Sequence, residues 1–325
     1  MTAAYRTPDE RFAELPGWAY EPSYRDWEGL RLAHYDVGPA DAPVVMLFHG
    51  EPTWSFLYRK VMGPLLAAGY RCVLLDQPGF GRSDKPTDLD WYSYDRQTAA
   101  AAALVADLRI TGATFVVQDW GGPIGLRVAM EQPGAAARLV ILDTGLFTGR
   151  QQMSDAWIAF RDFVSRTEDL PIELLIRGAC AIDHGDEVWR GYAAPFPVAE
   201  SKVGARSFPL MLPTSPEDPG AQAGQDVLEA LAASDLPTLM LWADSDPILT
   251  PETGRRFAAA KRRPVSSVRI GSLSAHSISV GRSLATSLAS VSWPALAPGA
   301  SGVVGSISGK LRAPAFDSAV GNGAS

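Results

Sequence analysis

The sequence predicts an α/β fold: a mostly parallel sheet with helices on both faces and a helical cap inserted between two halves of the sheet domain. Three observations predict it. Short, continuous apolar runs, such as Val44-Val45-Met46-Leu47-Phe48 and Thr114-Phe115-Val116-Val117, have the character of strands buried on both faces. Helical stretches separate these runs, and that alternation builds a parallel sheet. Between residues 146 and 225 the alternation stops and gives way to helical spacing and an accumulation of prolines.

The elements follow in order. Leu30-Arg31-Leu32-Ala33-His34-Tyr35 alternates in polarity and reads as a half-buried strand. Val44 to Phe48 is a buried strand, ended by the loop His49-Gly50-Glu51-Pro52-Thr53. Phe56, Leu57, Val61, Leu65 and Leu66 then predict a helix up to Gly69. A second buried strand, Cys72 to Leu75, ends in Asp76-Gln77-Pro78-Gly79-Phe80-Gly81. Tyr94 to Leu108 is Ala-rich and helical, Phe115 to Val117 is a strand, and a helix runs from Gly122 to Glu131. Leu139 to Leu142 is another buried strand.

In the insertion, Trp157, Phe160 and Phe163-Val164 have helical spacing, as do Leu174, Leu175 and Ile176. The sheet resumes with Thr238 to Trp242, a helix over Pro251 to Lys261 and a strand over Val265 to Ile270. The expected division is a core over 1–145 and 226–296 with a cap over 146–225. Residues 264–325 hold 15 serines and one of the chain's 36 acidic residues, Asp317. From 297 the composition is rich in Gly, Ser and Ala, which predicts a disordered tail over 297–325.

Composition excludes several classes. A chain of 325 residues that is 46% hydrophobic has ample material for a globular core. Its net charge of −7 favours solubility and argues against a nucleic-acid partner. Cys72 and Cys180 are too far apart in sequence to suggest a disulfide framework, and Cys72 reads as an apolar filler in its strand. Met1 to Pro16 is charged throughout and lacks the apolar core of a signal peptide. No run of about 18 apolar residues predicts a membrane span, so a cytoplasmic location is expected. No metal-ligand spacing and no G-x-G-x-x-G motif is present, so neither a metal nor a cofactor is expected.

The most informative segment is Val117-Gln118-Asp119-Trp120-Gly121, which stands between a buried strand and a helix. In this strand–turn–helix context an elbow of the form G-x-S-x-G presents a nucleophilic serine. Here Asp119 takes the serine's place. A carboxylate that attacks carbon is left as an ester, which water must then release. Trp120 beside it offers an indole N–H and no acceptor, which suits an anionic leaving group. Gly121 and Gly122 are expected to permit close packing behind the turn.

Such a nucleophile needs a base for the water, an acid to orient the base, and donors for the oxyanion. The backbone N–H groups of Glu51 and Trp120 are the expected donors. The Glu51 side chain is unusual beside a second carboxylate. Like charge raises one pKa, so it is expected to be protonated, to position water, or to cap a backbone group. Of the four histidines, only His276 follows the last strand, where the base belongs. His49 is expected to hold its loop, His34 to be structural and His184 to sit in an exposed turn. Asp246 is the expected acid, because Pro247 after it leaves its side chain clear at the sheet edge, with Asp244 as a turn former. Asp143, ending the strand after the elbow, is the weaker candidate.

Three motifs together resemble the haloalkane dehalogenases of the α/β-hydrolase fold: His49-Gly50-Glu51-Pro52-Thr53-Trp54-Ser55, Gly79-Phe80-Gly81-Arg82-Ser83-Asp84-Lys85-Pro86, and Val117 to Gly121. Cap segments Tyr192 to Pro197 and Ala205 to Pro209 resemble the same family, and the likeness covers about residues 5–262. The resemblance implies Asp119 as nucleophile, Asp246 as acid and His276 as base. It implies two donors for the departing halide, the first being Trp120. Where relatives read His-Gly-Asn, the asparagine is the second; Glu51 occupies that place here and cannot donate when ionised. A cap tryptophan is then implied, Trp157, with Trp189 as competitor.

The expected partners are a small halogenated aliphatic substrate and water, with no nucleic acid and no membrane. Epoxide hydrolysis shares the Asp-Trp-Gly elbow, but it needs proton donors and the insertion has a single tyrosine, Tyr192. A third expectation is an impaired hydrolase-fold protein. After His276 the chain reads Ser277-Ile278-Ser279-Val280, where relatives carry an aromatic residue and an acidic stretch.

Overall fold

A computed structural model describes residues 2–180, 182–260 and, as backbone, 266–270. In chain order the strands are β1 (Ala4–Tyr5), β2 (Ser23–Trp27), β3 (Leu30–Val37), β4 (Val44–Phe48), β5 (Arg71–Leu75), β6 (Lys85–Pro86), β7 (Ala113–Gln118), β8 (Ala136–Leu142), β9 (Thr238–Ala243) and β10 (Ser266–Ile270). The helices are α1 (Arg59–Ala67), α2 (Tyr94–Asp107), α3 (Gly121–Glu131), α4 (Asp155–Arg166), α5 (Ile172–Ala179), α6 (Asp186–Ala193), α7 (Val203–Met211), α8 (Ala221–Ala233) and α9 (Pro251–Ala260).

Among the described residues the main sheet has eight strands in the order β10-β9-β8-β7-β4-β5-β3-β2. From β10 to β5 every neighbour pair is parallel, and β3 and β2 close one edge antiparallel. The reason is legible in the residues. Every residue of β7 is buried, as is all of β4 after Val44, so these strands need helices on both faces. Edge strand β2 reads Ser-Tyr-Arg-Asp-Trp and has no buried residue; its charges blunt the open edge. The apolar-run criterion passed over β2 because it has no such run.

Each expected strand and helix of the core is present. The helix expected from Phe56 begins as a 3₁₀ turn, Ser55–Tyr58, before α1. Helix α2 opens on Ser93, whose hydroxyl accepts the Arg96 N–H, which satisfies one of the first-turn donors. Helices α4 to α7 lie between β8 and α8, in the expected insertion. Helix α8 spans position 225 and packs against α3. No disulfide joins Cys72 and Cys180, and burial pushes the Cys72 thiol up to about 12. No helix among the described residues is long and apolar enough to cross a membrane. The tail expected over 297–325 lies outside the described residues.

Because β4, β5, β7, β8, β9 and β10 are parallel, their C-terminal ends share one edge. The strand order reverses at β4, with β5 on one side and β7 on the other. Loops leaving such a reversal point diverge and open a crevice, which is where open α/β sheets bind ligands. The loop after β4 carries Glu51 and the turn after β7 carries Asp119.

Candidate active site

Asp119 sits in the left-handed region, at φ +50°, between the end of β7 and the start of α3. For a residue with a Cβ that conformation costs about 1–2 kcal/mol, so neighbours must impose it. They do. The Asp119 N–H donates to Asp143 O at 3.0 Å, and the Gly122 N–H donates to Asp119 O at 2.8 Å. The Thr144 hydroxyl donates to the same carbonyl at 2.5 Å. Helix α3 approaches so closely that a Cβ on Gly121 would lie 2.2 Å from Phe48 O, and one on Gly122 1.8 Å from the Thr144 hydroxyl. These two glycines do what close packing behind the turn requires.

Across the crevice the Glu51 N–H donates to Asp119 Oδ1 at 2.7 Å. Two strands thus bring the expected donor to the expected nucleophile. Trp120 is the N-cap residue of α3, with its ring buried against Phe208 of α7 at 5.1 Å and Phe147 at 5.8 Å. A small pocket lies against this ring, lined by Tyr94, Phe147 and Pro213 among others. Neither Asp119 nor Trp157 lines it, so it is not the space where Asp119 would meet a substrate.

The Glu51 carboxyl is buried, and among the described residues its Oε1 has no hydrogen-bond partner. Burial first, then the charge of Asp119, raises its pKa well above the usual carboxylate range. Folding therefore favours the protonated acid. Its contribution to stability is complete below the unfolded pKa and is lost as pH rises through the folded value. In urea unfolding, wild type is expected to lose stability between pH 5 and pH 8, and Glu51→Gln, neutral throughout, to lose less. An equal loss in both would show Glu51 ionised in the folded protein at pH 5.

Two carboxylates occupy the ends of β8 and β9. Asp143 Oδ1 accepts the Ala243 N–H at 2.7 Å and so ties the two strand ends together. Burial, followed by the charge of Asp246, raises its pKa well above normal. Asp246 is buried, and its Oδ1 accepts the N–H groups of Ile248 and Leu249, each at 2.8 Å. The expectation that Asp246 stands clear of the turn is therefore not met: the proline-containing loop folds back onto it. Trp242 Nε1 closes the same loop by donating to Leu249 O at 2.8 Å.

The histidines separate cleanly. His49 Nε2 lies 3.1 Å from the Gln77 N–H and accepts it, which leaves the Nδ1–H to donate to Gly50 O at 3.0 Å. Burial lowers its pKa, so it is a neutral brace, in keeping with the loop-holding role expected of it. His34 pairs opposite Ser23 in the antiparallel part of the sheet. His184 is half-buried rather than exposed, its ring 5.4 Å from that of Trp189. His276 lies outside the described residues. Strand β10 ends with Ile270 level with Ala243, so the chain leaves it at the edge occupied by Asp143 and Asp246.

The cap tryptophans also differ. Trp189 is fully buried and its Nε1 donates to Asp183 at 2.7 Å, so that N–H is committed. Trp157 is buried in the first turn of α4, whose N-cap Ser154 accepts the Trp157 backbone N–H at 3.2 Å. Among the described residues, neither the Trp157 nor the Trp120 indole N–H has a protein acceptor. Helix α4 packs on α7, whose Phe208 touches Trp120. The sole tyrosine of the insertion, Tyr192, is buried and accepts from Arg59 Nη1 at 3.0 Å. Among the described residues no group of three or more His, Cys, Asp or Glu side chains is placed to hold a metal.

Sequence alone places Asp76 and Gln77 in the loop after Leu75, with no role beyond it. The available signal was their position at the end of a buried parallel strand, on the functional edge of the sheet.

Comparison with known proteins agrees with this fold. The family model for the alpha/beta hydrolase fold matches residues 43–272. A haloalkane dehalogenase of Mycobacterium marinum is 41% identical over 249 residues, which are 75% of this chain and 84% of the relative. One from Psychrobacter cryohalolentis is 38% identical over 75% of this chain and 82% of its own length. The solved structure of haloalkane dehalogenase DpaA from Paraglaciecola agarilytica NO2 superposes with a TM-score of 0.84 at 30% identity, covering 90% of this chain and 100% of that one. Likeness of this extent, on a chain whose sheet edge brings a backbone donor to an aspartate in the elbow, places it in a family of hydrolases acting on carbon–halide bonds: the chain belongs to the haloalkane dehalogenases.

Proposed function

We propose that hydrolysis of small haloalkanes by this chain runs through an alkyl ester on Asp119. The observation that carries the reading is the 2.7 Å contact from the Glu51 N–H to Asp119 Oδ1. With Oδ1 held, Oδ2 attacks the halogen-bearing carbon. The new C–O bond forms as the carbon–halogen bond breaks, and the halide leaves with the bonding pair. The indole N–H groups of Trp120 and Trp157 receive it. His276, oriented by Asp246, then takes a proton from water as the water oxygen adds to the ester carbonyl. The negative charge falls on Oδ1, against the N–H groups of Glu51 and Trp120. Collapse releases the alcohol and restores the carboxylate, and one proton and one halide are set free per turnover.

The test is halide and alcohol release from 1,2-dibromoethane and 1-bromobutane, run in H₂¹⁸O. Over many turnovers label is expected in Asp119, because water adds to its carbonyl carbon. Label confined to the alcohol would exclude the ester. Epoxide hydrolysis finds no support at Tyr192, the single tyrosine of the insertion, which is fully buried between the rings of Phe56 and Trp189. The cap over 146–225 supplies Trp157 in this reading. Trp157→Phe is expected to weaken bromide binding by roughly tenfold or more, the equivalent of ~1.5 kcal/mol for one hydrogen bond to an anion. Trp189→Phe should leave bromide affinity unchanged; quenching of indole fluorescence by bromide measures both.

A further inference from the structure

The Glu51 N–H must be held against Asp119, and bonds within its own loop do not do this. The Thr53 N–H and hydroxyl both donate to Gly50 O, at 3.1 and 2.9 Å, which closes the turn without tying it to the sheet. The ties come from the end of the neighbouring strand β5. Before Glu51, Gln77 makes two bonds to His49: its N–H donates to Nε2 at 3.1 Å and its Nε2 donates to the carbonyl at 2.6 Å. After Glu51, Asp76 Oδ1 accepts the Ser55 N–H at 3.0 Å. Asp76 is itself pinned. Its Oδ2 accepts the Arg82 N–H at 2.8 Å, its carbonyl accepts the Ser83 hydroxyl at 2.5 Å, and its N–H donates to Ala33 O at 3.0 Å. Lys85, fully buried, closes the 81–83 turn by donating to Gly81 O and Ser83 O at 2.7 and 2.9 Å. His49, Asp76 and Gln77 are all buried, so water does not compete for these bonds.

We infer that Asp76 and Gln77 are positioning residues for dehalogenation: they grip the donor loop on both sides of Glu51 and set its N–H against Asp119 Oδ1. The inference rests on the ester mechanism proposed above, and that mechanism makes it specific to one step. During halide displacement, charge leaves the Asp119 carboxylate, so a donor to Oδ1 gives no acceleration. During ester hydrolysis, charge builds on Oδ1, so the same donor lowers the barrier. Loosening the grip slows hydrolysis and spares displacement.

The experiment is single-turnover quenched flow of the full chain with 1,2-dibromoethane. Bromide reports displacement, and intact mass of Asp119 reports the ester. In Asp76→Asn the amide accepts at one end only, so either Ser55 or Arg82 faces a second donor. Hydrolysis per folded molecule is expected to slow about tenfold, short of the 10²–10³ for loss of a whole oxyanion donor. Displacement should stay within about twofold of wild type, since no donor in the displacement step is moved. Gln77→Met removes one neutral bond, leaves the buried charge in place and should slow the same step by a smaller factor; it decides the matter if Asp76→Asn does not fold. Hydrolysis at the wild-type rate in the folded variants would overturn the inference, as would equal slowing of both steps, which marks a role in folding alone. If wild type itself forms no ester on Asp119, the mechanism fails instead, so the two failures are distinguishable.

Discussion

Asp119→Asn is expected to lower halide release by roughly 10⁴-fold or more, the scale seen when a covalent nucleophile is removed from a working site. Asparagine is the informative replacement. It tolerates the left-handed backbone at φ +50°, and its carbonyl oxygen still accepts the Glu51 N–H. Its amide nitrogen, however, has no lone pair available to displace a halide. It also removes the charge beside the buried Glu51 carboxyl, so the thermal midpoint should be equal to or above that of wild type. The measurement is halide release beside thermal unfolding, with intact mass confirming that the amide has not deamidated. Activity within tenfold of wild type in an intact amide variant would sink Asp119 as nucleophile.

The second large effect separates the two half-reactions. His276→Ala is expected to release one equivalent of bromide from 1,2-dibromoethane and then stop, leaving an alkyl ester on Asp119. Loss of a general base costs roughly 10²–10⁴-fold in the step it serves, here hydrolysis alone. The other histidines are poorly placed to substitute. Both ring nitrogens of His49 are engaged, with Gly50 and Gln77, His34 lies in the antiparallel part of the sheet, and the His184 ring lies tilted against Trp189 in the insertion. Strand β10 runs parallel to β9 and ends level with Ala243, while His276 lies outside the described residues. Continued turnover at the wild-type rate would assign the base to another residue. A chain in which wild type itself stalls after one equivalent would be the impaired hydrolase that its unusual C-terminal sequence raises.

Much of this was legible in the sequence because the determining interactions are local or periodic. A run such as Val44 to Phe48 needs burial on both faces wherever it lies, so its place in a parallel sheet follows from composition. The elbow is equally local: strand, aspartate, tryptophan and two glycines announce a tight turn within ten residues, and the helix starts one residue before the position expected. Side chains whose roles depend on distant partners were not legible. The resemblance put Trp157 ahead of Trp189, but only the fold shows the Trp189 indole N–H committed to Asp183. Asp246 was expected to stand clear, and the fold of its own loop turned two amides onto it.

By itself, then, the sequence determined the order of strands and helices and the tight turn that carries Asp119, since apolar period and turn chemistry act over a few residues. The tertiary structure decided which polar groups meet. It brought Glu51 to Asp119 across 68 residues of chain, joined Asp143 to Ala243 across 100, and set Gln77 on His49 across 28. The physical reason is that a hydrogen bond forms only over about 3 Å, and which strand ends come that close depends on strand order, which no local pattern encodes.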